Sequence, residues 1–291
     1  MRSRWLLNLL LATVVVALGL LAYFRPHGDA SVGPRLTALT PETVTRIRIE
    51  RVRHEPMQLE KAADGWRMLA PLRARANQFN IDSLLRVTTT TSSFQTPVDA
   101  AGLAQYGLDK PGVRLQLNDE EILIGAQHPL RQQHYVRYHE HVHLIPSYPL
   151  GSVFLDYNAF LDSQLLEDGR KLSALRLPAF RLVLKDGLWR RDPPPPKNAP
   201  AVSQDRLNEI VAEWENARAF AVQRRSAKTP IAQIDLAFDQ NGKHGSLTLD
   251  ILAYRPELII ARRDEGLEYH FPEEIGKRLL ELRLMEERVK N

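Results

Sequence analysis

Apolar and polar residues alternate through much of the chain, first at VTRIRIE, where Ile47 and Ile49 fall on one face and Arg46, Arg48 and Glu50 on the other. A period of two marks a half-buried strand. PMQLEK continues the alternation, AADG supplies a turn, and WRMLAP points Trp66 and Met68 inward. The spacing then changes, and Ile81, Leu84 and Leu85 predict a helix over Ile81 to Thr88. From Leu172 the same succession returns. ALRLP and FRLVLKDG predict two strands, and LWRRDP repeats Trp followed by Pro. VSQDRLNEIVAEWENARAF then predicts a helix with Leu207, Ile210, Val211 and Trp214 on one face.

A shift of 126 positions places Ile81 on Leu207, Leu84 on Ile210, Leu85 on Val211 and Phe94 on Phe220. Later pieces correspond as well. VRLQLNDEEILIGAQ, QHYVRYH and HVHLIP precede the short helical stretch SVFLDYNAFLD. Their counterparts are IAQIDLAFDQNGKHGSLTLDILA, ELIIARRDEG and LEYHF, before PEEIGKRLLELRLMEERV with Ile275, Leu279, Leu282 and Met285 at helical spacing. Asn118-Asp119 and Asn241-Gly242 mark the corresponding hairpin turns. The pattern predicts an α+β protein made by internal duplication, with antiparallel-sheet-plus-helix repeats at 42–162 and 172–291 and the charged linker 163–171 between them.

Residues 1–41 have a different character. Leu6 to Phe24 is a run of 19 residues without a charge, roughly 28 Å long as a helix and close to the thickness of a hydrocarbon core. Trp5, Tyr23 and Phe24 sit at its ends, where membrane interfaces favour aromatic rings. A cleavable signal would be shorter and end in a small-x-small site. Leu21-Ala22-Tyr23-Phe24-Arg25 stands there instead, so the pattern predicts an uncleaved signal anchor. Arg2 and Arg4 precede the run and Arg25 follows it, which keeps the N-terminus in the cytoplasm. The expected organisation is a cytoplasmic tail and N-terminal transmembrane helix at 1–27 and a Gly- and Pro-containing tether at 28–41. The expected location is the bacterial inner membrane, single pass, with the bulk of the chain periplasmic.

Composition narrows the chemistry. The 291 residues suffice for one large or two ordinary domains, and 44% hydrophobic with 25% charged residues is the balance of a folded chain. No cysteine is present, which removes disulfides, thiolate metal sites and thiol nucleophiles. The formal charge is +4, and Arg2, Arg4 and Arg25 supply three of those four charges. The remainder is nearly neutral and lacks the concentrated basic surface that nucleic acid requires.

The order TVTRIRIER, LEK, DGWRMLAP, a helix, AQYGLDKP, an ILIG strand and YVRY…VHLI resembles a bacterial membrane-anchored family catalogued as domain of unknown function 4340. The similarity covers most of residues 40–165 and, more loosely, the second half. It implies an accessory envelope role beside ABC-type transport components. The family has no established catalytic residues to carry over.

Five of the nine histidines lie between His128 and His143. His139, His141 and His143 alternate, and on one strand face they would converge on a metal ion. Their counterpart ARRDEGLEYHF instead makes His139, Glu140 and His141 a hairpin tip with only His143 in the returning strand. The expectation is exposed turn histidines, with a metal site of His139, His141 and His143 as the alternative. Asp239-Gln240-Asn241-Gly242 opens like a calcium loop but lacks the later carboxylate and the flanking helices. Pro193 to Pro196 reads as a stiff connector, and Trp66, Trp189 and Trp214 read as core aromatics. The turn of Tyr106, Gly107, Leu108 and Asp109 is the candidate binding surface, since a shaped loop on a rigid scaffold can recognise a partner.

These features predict a non-catalytic scaffold or accessory subunit of an envelope assembly. No catalytic residues and no cofactor are expected, and the expected partners are the inner membrane and other envelope or transporter proteins, with no nucleic acid. The alternative is a periplasmic binding module for a glycan or small ligand, in a cleft between the two halves.

Overall fold

The computed structural model describes residues 13–15, 33–194, 202–240 and 242–281. The first half contributes β1 (Arg46–Arg51), β2 (Met57–Ala62), β3 (Gly65–Ala70), β4 (Ala74–Arg75), α1 (Gln78–Leu85), β5 (Phe94–Pro97), β6 (Val113–Leu117), β7 (Glu120–Gln127), β8 (Gln133–Tyr138) and β9 (His141–Pro146). The second contributes β10 (Lys171–Arg176), β11 (Arg181–Lys185), β12 (Leu188–Asp192), α2 (Gln204–Glu215), β13 (Ala221–Arg224), β14 (Ala232–Gln240), β15 (Lys243–Ala253), β16 (Glu257–Arg262), β17 (Leu267–Pro272) and α3 (Glu273–Leu280).

The described residues fall into two units. Unit 1 takes those of Met1–Val44 and Leu84–Val153, and unit 2 those of Thr45–Ser83 and Phe154–Asn291. Unit 1 carries strands in the antiparallel order β6-β7-β8-β9-β5. Unit 2 carries the run β4-β3-β2-β1 and an eight-stranded sheet ordered β12-β11-β10-β14-β15-β16-β17-β13. The order β3-β2-β1 recurs as β12-β11-β10, and β6-β7-β8-β9-β5 recurs as β14-β15-β16-β17-β13. This recurrence is compatible with an internal repeat.

The predicted alternation holds where it was strongest. Ile47 and Ile49 are buried on β1, and Trp66 and Met68 on β3. On α2 the predicted face of Leu207, Ile210, Val211 and Trp214 is buried, and Ser203 caps the helix by accepting the Arg206 N–H at 3.2 Å. The indole of Trp214 donates to the Leu279 carbonyl at 2.8 Å, so a fully buried N–H is satisfied. The first-half helix ends at Leu85 and continues as a 3-10 turn, and SVFLDYNAFLD forms two 3-10 turns. The last helix stops at Leu280; Leu282 and Met285 lie outside the described residues.

Two expectations are corrected. The fold is mostly β, two large antiparallel sheets with few helices, rather than an α+β arrangement of a transmembrane helix followed by two sheet-and-helix halves. The physical reason is that most of the apolar pattern has period two, and among the described residues α1, α2 and α3 are 8, 12 and 8 residues long. Single-pass placement in the bacterial inner membrane, with cytoplasmic N-terminus and periplasmic bulk, is likewise not supported. Among the described residues no helix is long and apolar enough to cross a membrane, and helices of this length span roughly 12–18 Å against a core of about 30 Å. Apart from Thr13, Val14 and Val15, the stretch Leu6 to Phe24 lies outside the described residues.

Candidate functional site

The turn nominated from sequence lies in unit 1, after a 3-10 turn at Ala100–Tyr106. Gly107 has φ +64°, a left-handed conformation open to glycine at little cost, and its N–H donates to the Ala104 carbonyl at 3.1 Å. Leu108 is buried. A Cβ at Gly125 of β7 would collide with the Tyr106 carbonyl and meet the Leu108 side chain at 2.9 Å. The YGLDKP and ILIG segments therefore form one packing unit. The Tyr106 ring lies 4.7 Å from that of Tyr135, which lies 5.8 Å from His128. Asp109 faces solvent. Leu108 anchors this turn, Gly107 shapes it, and Tyr106 joins a small aromatic cluster.

The three alternating histidines separate. His139, at φ +51°, occupies the β8–β9 turn with Glu140, and its Nε2 lies 2.7 Å from Glu120. The Tyr138 hydroxyl donates to the same carboxylate at 3.1 Å. Burial, and then Glu120, push the Tyr138 phenol up to about 12. His141 opens β9 instead of sitting at the tip, and its ring lies 6.2 Å from that of His143 on the same strand. His143 is 4% exposed. Burial, and secondarily His141, hold its imidazole below the ordinary value. Among the described residues no group of three or more His, Asp or Glu side chains is placed to hold a metal ion. The Asp239–Gly242 segment is a hairpin connection in which Asp239 accepts the Gly242 N–H at 2.9 Å; Asn241 lies outside the described residues. So do Pro195 and Pro196 of the proline run. Trp66, Trp189 and Trp214 are buried, as the sequence predicted.

A polar cleft of about 830 Å³ opens within unit 2, and sequence reasoning did not find it. Residues around β3, β4 and the start of α1 form one wall, and the connection from Asp162 to Arg170 forms another. Arg75, on β4, organises it. Its guanidinium donates to Asp162 at 2.7 Å, to Glu265 at 2.9 Å and to the Gln164 carbonyl at 2.6 Å. Behind it, Tyr269 donates to Glu265 at 2.5 Å. Arg262, at the end of β16 and 1% exposed, bridges Glu167 with two 3.1 Å hydrogen bonds, Asp264 at 2.5 Å and the Leu165 carbonyl at 2.8 Å. Arg170 pairs with Glu167 at 2.7 Å and lies 4.2 Å over the Phe238 ring. Arg218 donates to Gln164 at 2.8 Å.

The cleft is charge-balanced. Arg67, Arg75, Arg170 and Arg218 line it on the cationic side. Asp64, Asp162, Glu167 and Asp168 line it on the anionic side. Burial alone would raise Glu167 and Asp264, but the Arg262 hydrogen bonds and charge outweigh it and hold both below the usual carboxylate range. Burial would likewise lower Arg75 and Arg262, and their carboxylate partners outweigh it, so both rise. Burial and then Glu265 raise Tyr269, which stays a neutral phenol. All five groups move away from neutrality. Arg170 moves the other way: burial lowers it, against the opposing pull of Glu167.

The described residues are mostly antiparallel β structure, with a polar cleft of four arginines and four carboxylates in unit 2. The family described as Domain of unknown function (DUF4340) matches residues 66–233, more than half of the chain, and the chain belongs to that family. No curated protein and no solved structure matches it.

Proposed function

We propose that the chain is a non-catalytic recognition protein, an accessory subunit whose working site is the polar cleft of unit 2. The observation that carries this reading is the roughly 830 Å³ cleft whose charged walls are held in place by one another. Ligand sites are concave and present a few convergent polar groups in fixed orientation. Here Asp162 and Glu265 orient the Arg75 side chain, and Arg262 orients that of Glu167, before any ligand arrives. Preorganisation of this kind lowers the entropic cost of binding. The scaffold reading and this one share a non-catalytic role; the cleft favours a ligand.

The test is hydrogen–deuterium exchange of the full chain in the presence of small-molecule and oligosaccharide fractions from cells. At least one fraction should slow exchange in peptides covering residues 64–79 and 162–170. If every fraction leaves those peptides unchanged, or protection falls only in unit 1, the reading is wrong.

A further inference from the structure

We infer that the cleft takes a neutral, polyhydroxylated ligand, a carbohydrate chain, with Phe79 as its stacking platform. This rests on the recognition role proposed for the same cleft. Four guanidinium groups and four carboxylates line the cleft, so a net anion meets the carboxylates and a net cation meets the arginines. A ligand of either sign meets like charge beside opposite charge: Arg67–Asp64, Arg75–Asp162 and Arg170–Glu167 are already paired, and Arg218 and Asp168 are both bonded to Gln164, so a net charge gains little that the lining does not already satisfy. A hydroxyl both donates and accepts, so it can bond to either side of such a pair without breaking it.

Asn77, Gln78, Gln164 and Gln240 add planar amides to the carboxylates and guanidiniums. Each such group presents two adjacent hydrogen-bonding atoms in one plane, a spacing suited to neighbouring hydroxyls on a sugar ring. Phe79 lies in the first turn of α1, lines the cleft and is 75% exposed. A large aromatic ring left in water beside a polar cleft is a surface waiting for an apolar face, and the C–H face of a pyranose supplies one while its hydroxyls reach the polar wall. Trp66, also in the lining, is buried and belongs to the core, so Phe79 alone is the exposed platform among these two.

The experiment is calorimetry on the full chain with maltohexaose, cellohexaose and chitohexaose, and with a heparin hexasaccharide and spermine as charged probes. One neutral oligosaccharide should bind at one per chain. Phe79→Ala should weaken it roughly tenfold, Phe79→Trp should restore it, and Leu130→Ser, at a 90% exposed site in unit 1, should leave it unchanged. The exposure of Phe79 makes its replacement benign for folding, and circular dichroism verifies that. Binding of only a charged probe, weakened by Phe79→Ala, overturns the ligand class while leaving the recognition role standing. Neutral binding indifferent to Phe79→Ala overturns the platform. If no probe binds while the exchange experiment protects residues 64–79 with a cell fraction, the carbohydrate assignment fails and the recognition role stands. If both experiments are silent, both fail.

Discussion

Units 1 and 2 bury polar side chains in opposite ways. In unit 1, His143 is buried as a desolvated ring whose imidazole is held neutral, and His134 is lowered by burial in the same way while contacting Ser147 at 2.8 Å. In unit 2, Arg262 is 1% exposed and Asp250 is fully buried, yet both stay charged because each is surrounded by opposite charge. Asp250, for instance, takes two 2.6 Å hydrogen bonds from Arg263, which hold it below its ordinary value. The first strategy removes the charge, and the second neutralises it in place. The difference teaches how a polar surface can persist: charges held by opposite charge, such as Arg75–Asp162 and Arg170–Glu167, line a cleft in fixed positions.

The sharpest way to break the contrast is Arg262→Met. Removing one partner of a buried network costs up to about 3–5 kcal/mol; here Asp264 loses its arginine, while Glu167 keeps Arg170 and Glu265 keeps Arg75. Urea unfolding followed by tryptophan fluorescence, to which Trp66, Trp189 and Trp214 of unit 2 contribute, should show that loss. Adding Asp264→Asn should recover part of it, because the carboxylate left without its arginine goes with the substitution. A loss below 1 kcal/mol for Arg262→Met would mean that the network contributes little and that the cleft walls are not fixed by it.

Much of the fold was legible because amphipathic patterning is local. Ile47 and Ile49, or Leu207, Ile210, Val211 and Trp214, declare their buried face within a few residues. The cleft was not, because its partners are remote: Arg75 meets Glu265 across 190 positions, and Arg262 meets Glu167 across 95. SQLLEDGRK read as a charged linker, and in the structure its Leu165 and Leu166 are fully buried and its Glu167, Asp168 and Arg170 line the cleft. Two leucines amid charges were the available signal, since a solvated linker has no reason to carry them. Helical weight was overestimated because SVFLDYNAFLD, read as a short helical stretch, forms two 3-10 turns, and the first-half helix ends at Leu85. The histidine hairpin differs from its expected form at one residue, His141, which opens β9 instead of sitting at the tip. Alternation puts His141 and His143 on one face, but the turn at His139 breaks the period.

A smaller effect tests whether unit 1 is fixed by packing where unit 2 is fixed by charge. Gly125→Ala pushes a methyl group into the Tyr106 carbonyl and the Leu108 side chain. Overpacking of this kind costs about 1–3 kcal/mol. The loss should be the same in low and high salt, because no ion pair is involved, whereas that of Arg262→Met should include an electrostatic part. Denaturant midpoints of both variants at two ionic strengths supply the check. A salt-dependent cost at Gly125 would remove the distinction.

The smallest effect is pH dependence, and it should separate the units. His143 and His134 have lowered pKa values in the folded chain, so below an unfolded value of about 6.5 the unfolded state binds more protons. Their contribution is complete above that pH and is lost as pH falls toward the folded values. Glu167 and Asp264 are lowered too, but from unfolded values near 4.3 and 3.9, so their contribution to unit 2 survives at pH 5.5 and is lost only in stronger acid. Hydrogen exchange at pH 7, 5.5 and 3.5, corrected for intrinsic rates, should therefore show β8 and β9 opening first and residues 162–170 later. His143→Leu removes the titrating ring from a buried site and should flatten the first step without touching the second. If peptides from both units lose protection together at pH 5.5, the two strategies of burial are not separate, and the contrast between a neutral core and a paired one does not hold.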